Sequence, residues 1–97
     1  MKKLVVTSSA RRDLQRIYAY IAREDKRVAT AFLKDLTEKL AWIAEADFSG
    51  SPRDHVSEGL KAFPYRNRCI YFRTNPAQIT FIRVLHQSQD VDKEFGR

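Results

Sequence analysis

One cysteine, two histidines, three glycines and three prolines are all that the 97 residues hold of the types that most often staple, ligate or interrupt a chain. Cys69 has no partner for an internal disulfide, which points to a reducing compartment. His55 and His86 lie too far apart in sequence for a metal-ligand spacing, so neither a metal nor any other cofactor is expected. Long apolar runs are missing as well. The opening Met1-Lys2-Lys3-Leu4-Val5-Val6 turns polar at Thr7, far short of a signal-peptide core or a membrane span. A soluble, cytoplasmic chain without a membrane partner is the expectation.

The remaining shortage is one of negative charge, and it is local. Across the chain 18 Lys and Arg face 12 Asp and Glu, a net charge of +6, but from Gly59 to Gln89 there is no acidic residue at all. Lys61, Arg66, Arg68, Arg73 and Arg83 fall in that stretch. Two readings stay open: a surface that attracts nucleic acid or an acidic protein segment, or a basic face that is merely solvated.

What is present is enough to fold. An apolar fraction of 43% with 11% aromatic residues is ordinary for a globular protein, and the length suits a single domain over residues 1–97. Leu4-Val5-Val6-Thr7 reads as a short strand, and Thr7-Ser8-Ser9 can cap a helix starting near Ala10. Ala10, Leu14, Ile17, Tyr18 and Ile21 keep helical spacing, leaving Asp13, Arg16, Arg23 and Glu24 on the polar face. That helix should fade around Glu24-Asp25-Lys26. Ala29, Phe32, Leu33, Leu36, Leu40 and Ile43 then repeat the periodicity for about four turns, which predicts an antiparallel helical hairpin.

From Asp47 to Pro52 the periodicity stops. Leu60 to Phe63, Arg68 to Thr74 and Gln78 to His86 read as strands, with a hairpin turn at Asn75-Pro76. The order β-α-α-β-β-β predicts an α+β fold in which the helical hairpin packs on a small antiparallel sheet. The last two strands are apolar at both parities, so the face away from the helices either meets a partner or carries tolerated apolar residues. Tyr20 and Trp42 fall on polar helix faces, where large aromatics either anchor partners or cover loops of their own chain.

Taken together, Ser9-Ala10-Arg11-Arg12-Asp13-Leu14 with Ile17 and Tyr20-Ile21-Ala22, Ala31-Phe32 with Leu36, and Gly59-Leu60-Lys61-Ala62-Phe63-Pro64 resemble the ParE branch of the ParE/RelE superfamily. The likeness continues through Arg68-Cys69-Ile70-Tyr71-Phe72-Arg73 and is strongest at Ile82-Arg83-Val84-Leu85-His86, with Asp90 just after. The resemblance implies a RelE/ParE-like fold and a bacterial toxin neutralised by an antitoxin encoded beside it, commonly a ParD-type protein whose tail wraps the toxin. ParE members with an assigned target poison DNA gyrase, whereas RelE-like members cut messenger RNA on the ribosome. The fold is shared and cannot choose between them.

The chemistry of the residues favours binding over catalysis. Metal-free RNA cleavage needs a proton acceptor, a proton donor and cations for the phosphorane. Arg68, His86 and Tyr71 form the candidate catalytic set for the ribonuclease alternative. Yet Gln87, Ser88 and Gln89 stand where such nucleases tend to carry another basic residue, and no lysine pair precedes Arg68, only the lone Lys61. His86 could equally be structural, bonded to Asp90 or to a backbone carbonyl; His55 reads as a solvated loop residue. The candidate partner- or target-binding residues are Lys61, Arg66, Arg68, Arg73, Arg83, Tyr20 and Trp42. Expected partners are an antitoxin with an acidic tail and DNA gyrase, with direct nucleic-acid contact left open. A non-toxic nucleic-acid-binding module ranks last, since no helix-turn-helix, RNA-recognition or zinc signature is present.

Overall fold

A short strand leads straight into the helical hairpin. A computed structural model of the chain describes residues 2–46 and 50–96. The first strand, β1 (Lys3–Val6), hands over at Thr7 to α1 (Ser8–Ala22), which starts two residues earlier than the apolar periodicity suggests because the Thr7 hydroxyl accepts from the Ala10 N–H. Only residues 23–25 separate α1 from α2 (Lys26–Glu45), where Asp25 caps the amides of Arg27 and Val28. At 20 residues, α2 runs about 30 Å and outlasts its apolar stripe.

Then follow β2 (Ser51–Pro52), β3 (Lys61–Tyr65), β4 (Arg68–Thr74), β5 (Gln78–His86) and α3 (Val91–Glu94). Among the described residues the strands form one sheet in the order β1-β5-β4-β3-β2. The α+β class and the β-α-α-β order are as the sequence predicts. The sheet is mixed rather than antiparallel throughout, because β1 lies parallel to β5. Parallel neighbours need a long crossover, and here the helices and three strands supply it. β3 sits one to two residues later than Leu60 to Phe63, and β2, a two-residue edge with a proline, carries no sequence signal of its own. Of the expected break over 47–52, residues 47–49 lie outside the described residues.

Two tight hairpins set the register. Arg66 and Asn67 both take positive φ, 44° and 66°, in the two-residue turn between β3 and β4. Asn75 turns β4 into β5 by accepting from the amides of Ala77 and Gln78 through its side chain. Between Tyr71 and Phe72 the β4–β5 register shifts, leaving Ile82 as the extra residue of a bulge.

Apolar residues collect on both faces of this sheet. Leu36, Ile43, Ile70, Phe72, Ile79, Phe81 and Val84 join the core beneath the helices. On the other face Tyr71, Ala62 and Leu85 are covered by Val56 and Leu60 from the loop before β3 and by Val91 and Phe95 at the carboxyl end. The chain itself, not a partner and not solvent, closes that second face. The cover rests on α3, a single turn capped by Asp90, which is too short to leave a periodic signal.

Candidate functional site

β5 outruns β1, and that mismatch shapes the site. The four residues of β1 pair with Gln78 to Phe81, so the last five residues of β5 have no strand on that side. Thr7 and Asp13 complete the ladder instead. The Thr7 N–H donates to the Phe81 carbonyl at 3.0 Å, the Thr7 hydroxyl donates to the Ile82 carbonyl at 2.9 Å, and the Val84 N–H donates to Asp13 Oδ2 at 2.9 Å. Asp13, expected on the polar face, is 4% exposed.

Its burial is matched by Arg83. Arg83 Nε donates to Asp13 Oδ2 at 2.8 Å and Nη2 to Oδ1 at 2.9 Å, while Nη2 also reaches Glu94 Oε1 at 3.1 Å and Nη1 the Glu94 carbonyl at 3.2 Å. The hydrogen bond to Asp13 raises the guanidinium's pKa despite its burial. Arg83 therefore ties α1, β5 and α3 together. Its guanidinium is engaged by Asp13 and Glu94 of its own chain.

Beside this pair, between α1 and the ends of β4 and β5, lies a cleft of about 420 Å³. Ile17 and Val84 give it an apolar floor, and Arg16, Tyr20, Arg68 and His86 line it. Arg16 and Tyr20 share a helix face four residues apart; Arg68 and His86 are register partners across β4 and β5. The Arg68 guanidinium stacks on Phe32 at 4.9 Å, and partial burial lowers its pKa. Among the described residues no carboxylate pairs with Arg16 or Arg68, while Asp13, the acid in the wall, is already engaged by Arg83.

His86 is held from its own loop. Its Nδ1 accepts from the Ser88 N–H at 3.1 Å and lies 2.8 Å from the Ser88 hydroxyl; its backbone N–H donates to Gln89 Oε1 at 2.8 Å. The structure replaces the expected Asp90 contact with this Ser88 one, since Asp90 caps α3.

The other sequence candidates sit elsewhere. Tyr71 is buried on the opposite sheet face, edge-on to Phe95 with centroids 5.3 Å apart, and burial followed by the neighbouring Cys69 pushes its pKa up to about 12. The proposed trio of Arg68, His86 and Tyr71 is thus split by the sheet. Arg66 pairs with Asp35 at 3.3 Å beside Tyr65; Arg73 is held by the Ser57 hydroxyl and the Glu58 carbonyl. Lys61 lies half-buried in β3 opposite Phe72, away from the cleft. Trp42 packs edge-on against Phe63 with Lys39 over its ring at 4.5 Å. Tyr20 is the more open of the two aromatic binding candidates, at 69% exposure against 45% for Trp42. Arg16 was not singled out as a site residue, although its spacing from Tyr20 was the available signal.

Among the described residues no group of His, Cys, Asp or Glu converges to hold a metal ion, and no helix is long and apolar enough to cross a membrane. The family model for the ParE toxin of the parDE type II toxin–antitoxin system matches residues 4–91. A solved structure of the chromosomal ParDE system from P. aeruginosa superposes with a TM-score of 0.72 at 21% identity, covering 89% of this chain and 96% of that one. That likeness extends to the fold. No curated protein matches the chain.

Proposed function

Because the chain belongs to the ParE toxin family of type II toxin–antitoxin systems, we propose that it inhibits DNA gyrase, and so replication, by binding, and that a ParD-type antitoxin with an acidic tail neutralises it. The observation that carries this reading is the cleft in which Arg16 and Arg68, without a carboxylate partner among the described residues, stand beside the open ring of Tyr20. Acidic residues of an antitoxin tail complement those two cations, and filling the cleft hides them from the target.

Ribosome-dependent message cleavage fits the same fold less well. His86 is held at Nδ1 by the Ser88 amide and hydroxyl of its own loop. Tyr71, grouped with His86 and Arg68 for the ribonuclease alternative, lies across the sheet with a raised pKa. Binding needs neither group.

The test is overproduction without a partner. Growth arrest that is relieved by co-expressing the adjacent antitoxin frame, together with trapping of gyrase-cleaved plasmid by the purified chain, is the expected result. Normal growth at verified high levels of folded protein would remove the toxin reading, and arrest without any gyrase–DNA adduct would remove the target.

A further inference from the structure

We propose that Phe32, on α2 and outside the cleft, is the positioning residue that fixes the Arg68 guanidinium in a binding-ready orientation at the cleft's edge. The carboxylate that Arg68 awaits belongs to the antitoxin reading above, on which the inference rests for its setting. The positioning itself is a property of the free chain.

Strand register alone cannot hold the group. Arg68 opens β4 straight after the turn at Arg66 and Asn67, between Tyr65 of β3 and His86 of β5. It shares the parity of Ile70 and Phe72, so its side chain leaves the sheet on the helix side. Beyond that first direction an arginine keeps several rotatable bonds, and the entropy of ordering them is subtracted from any contact the guanidinium makes.

The restraint at the far end is a ring. The Arg68 guanidinium carbon lies over Phe32, 4.9 Å from the ring centroid, and that of Arg66 lies 5.6 Å from the same centroid. The two cations differ in what else they touch. Arg66 also sits 5.1 Å from the Tyr65 ring and pairs at 3.3 Å with Asp35, one helical turn from Phe32. Arg68 has no carboxylate partner among the described residues, and its Nη1 reaches the Arg66 carbonyl only at 3.5 Å, the outer limit of a hydrogen bond.

The kind of restraint decides what Arg68 can still do. A carboxylate that held it would occupy the N–H donors in the guanidinium plane, as Asp13 and Glu94 occupy those of Arg83. An aromatic face attracts the cation through the ring quadrupole and leaves the planar fork open for a bidentate carboxylate. Phe32 therefore orders Arg68 without consuming its donors. Asp35 contributes by neutralising Arg66, which softens the repulsion between two cations on one ring. Helical periodicity places Phe32 on the core stripe of α2, yet the ring is only partly buried, and that leaves a face for the guanidinium.

Nuclear magnetic resonance on the purified chain tests the positioning without any ligand. In the unaltered chain, cross-relaxation between the Phe32 ring protons and the Arg68 δ-methylene is expected, together with an Arg68 Nε–H order parameter above about 0.6, where flexible groups begin. Phe32→Leu, which stays apolar and loses the ring, should drop that value below about 0.6 while its urea midpoint shows a folded chain; Phe32→Tyr should restore it. A labelled oligoglutamate peptide then reads the consequence by fluorescence anisotropy. Phe32→Leu should weaken its binding about fivefold, within the range of a cation–π contact, whereas Phe32→Tyr should not. In an Arg68→Ala background, Phe32→Leu should change nothing. An Arg68 order parameter unchanged in folded Phe32→Leu, or no ring-to-methylene cross-relaxation in the unaltered chain, would overturn the proposal. So would equal weakening by Phe32→Leu with and without Arg68, since Phe32 would then act on its own account. Loss of Arg68 order in Phe32→Leu, combined with equal peptide binding by wild type and Arg68→Ala, would uphold the positioning and remove the acidic-tail reading instead.

Discussion

Asp13 and Arg83, 70 residues apart in sequence, meet through two hydrogen bonds of 2.8 and 2.9 Å, and Asp13 holds the Val84 N–H as well. One carboxylate thus completes a strand edge and neutralises a buried cation. Breaking such a pair costs more than the pair contributes, because the surviving charge stays buried. Asp13→Ala should lower stability by about 3 kcal/mol, the lower part of the range for broken buried pairs, since Glu94 still contacts the guanidinium. Asp13→Asn should recover a fraction by retaining an acceptor for Val84. Urea midpoints decide it, and a change below about 1 kcal/mol, the scale of a surface pair, would mean that the pair is not structural.

Charge reversal should now separate two arginines that the sequence groups together. Arg83→Glu sets a third carboxylate against Asp13 and Glu94 and should unfold the chain or sharply lower its melting point. Arg68→Glu, at the cleft, should leave the melting point within a few degrees while weakening antitoxin binding at least tenfold. Arg11→Glu and Arg27→Glu, on exposed helix surfaces, should do neither. Comparable antitoxin dissociation constants for Arg68→Glu and Arg11→Glu would show that the cleft is not the antitoxin's target.

Tyr71 predicts an alkaline limit to stability. Its pKa is about 12 in the folded chain against 10.0 in the open one, so the folded state holds the phenolic proton more tightly. A raised folded pKa contributes stability that is complete below about pH 10 and is lost as pH rises through about 12, a loss of up to roughly 3 kcal/mol. Tyr71→Phe should unfold less steeply over that window, read by circular dichroism at fixed urea. Identical pH profiles for the two proteins would place the alkaline loss elsewhere.

Particular residues mark how far the sequence reaches. Helical spacing is a local signal, so the hairpin and its buried Ile17, Leu36 and Ile43 were legible, as was the turn at Asn75. The parallel placement of β1 was not, because strand direction across the whole chain leaves no mark in a four-residue run. Nor was the burial of Asp13. A carboxylate on a helix is ordinarily solvated, and only the distant Arg83 makes burial tolerable. The site follows the same rule. Arg68, His86 and Tyr20 were candidates before the fold was known, but their convergence depends on β5 outrunning β1, and Arg16 enters only through that convergence.

Poisoning and message cleavage make opposite demands on His86. A binding toxin uses its cleft as a surface, so His86→Ala should keep most of its toxicity provided that Ser88 and Gln89 still fold back at the strand end. A ribonuclease that used His86 as its acid or base should lose about 10²–10⁴-fold in rate. Circular dichroism and urea midpoints establish that the variant is folded; growth arrest, plasmid trapping and cleavage of a translated message on programmed ribosomes are then read in parallel. The ring's Nδ1 is occupied by the Ser88 amide and Tyr71 is on the far side of the sheet, so Arg68, His86 and Tyr71 do not converge on one reacting group. The expected pattern is arrest and gyrase–DNA adducts in both wild type and His86→Ala, with no message cut by either. Cleavage by the wild type that disappears in folded His86→Ala, without gyrase–DNA adducts, would make Arg68 and His86 a catalytic pair and the cleft an active site.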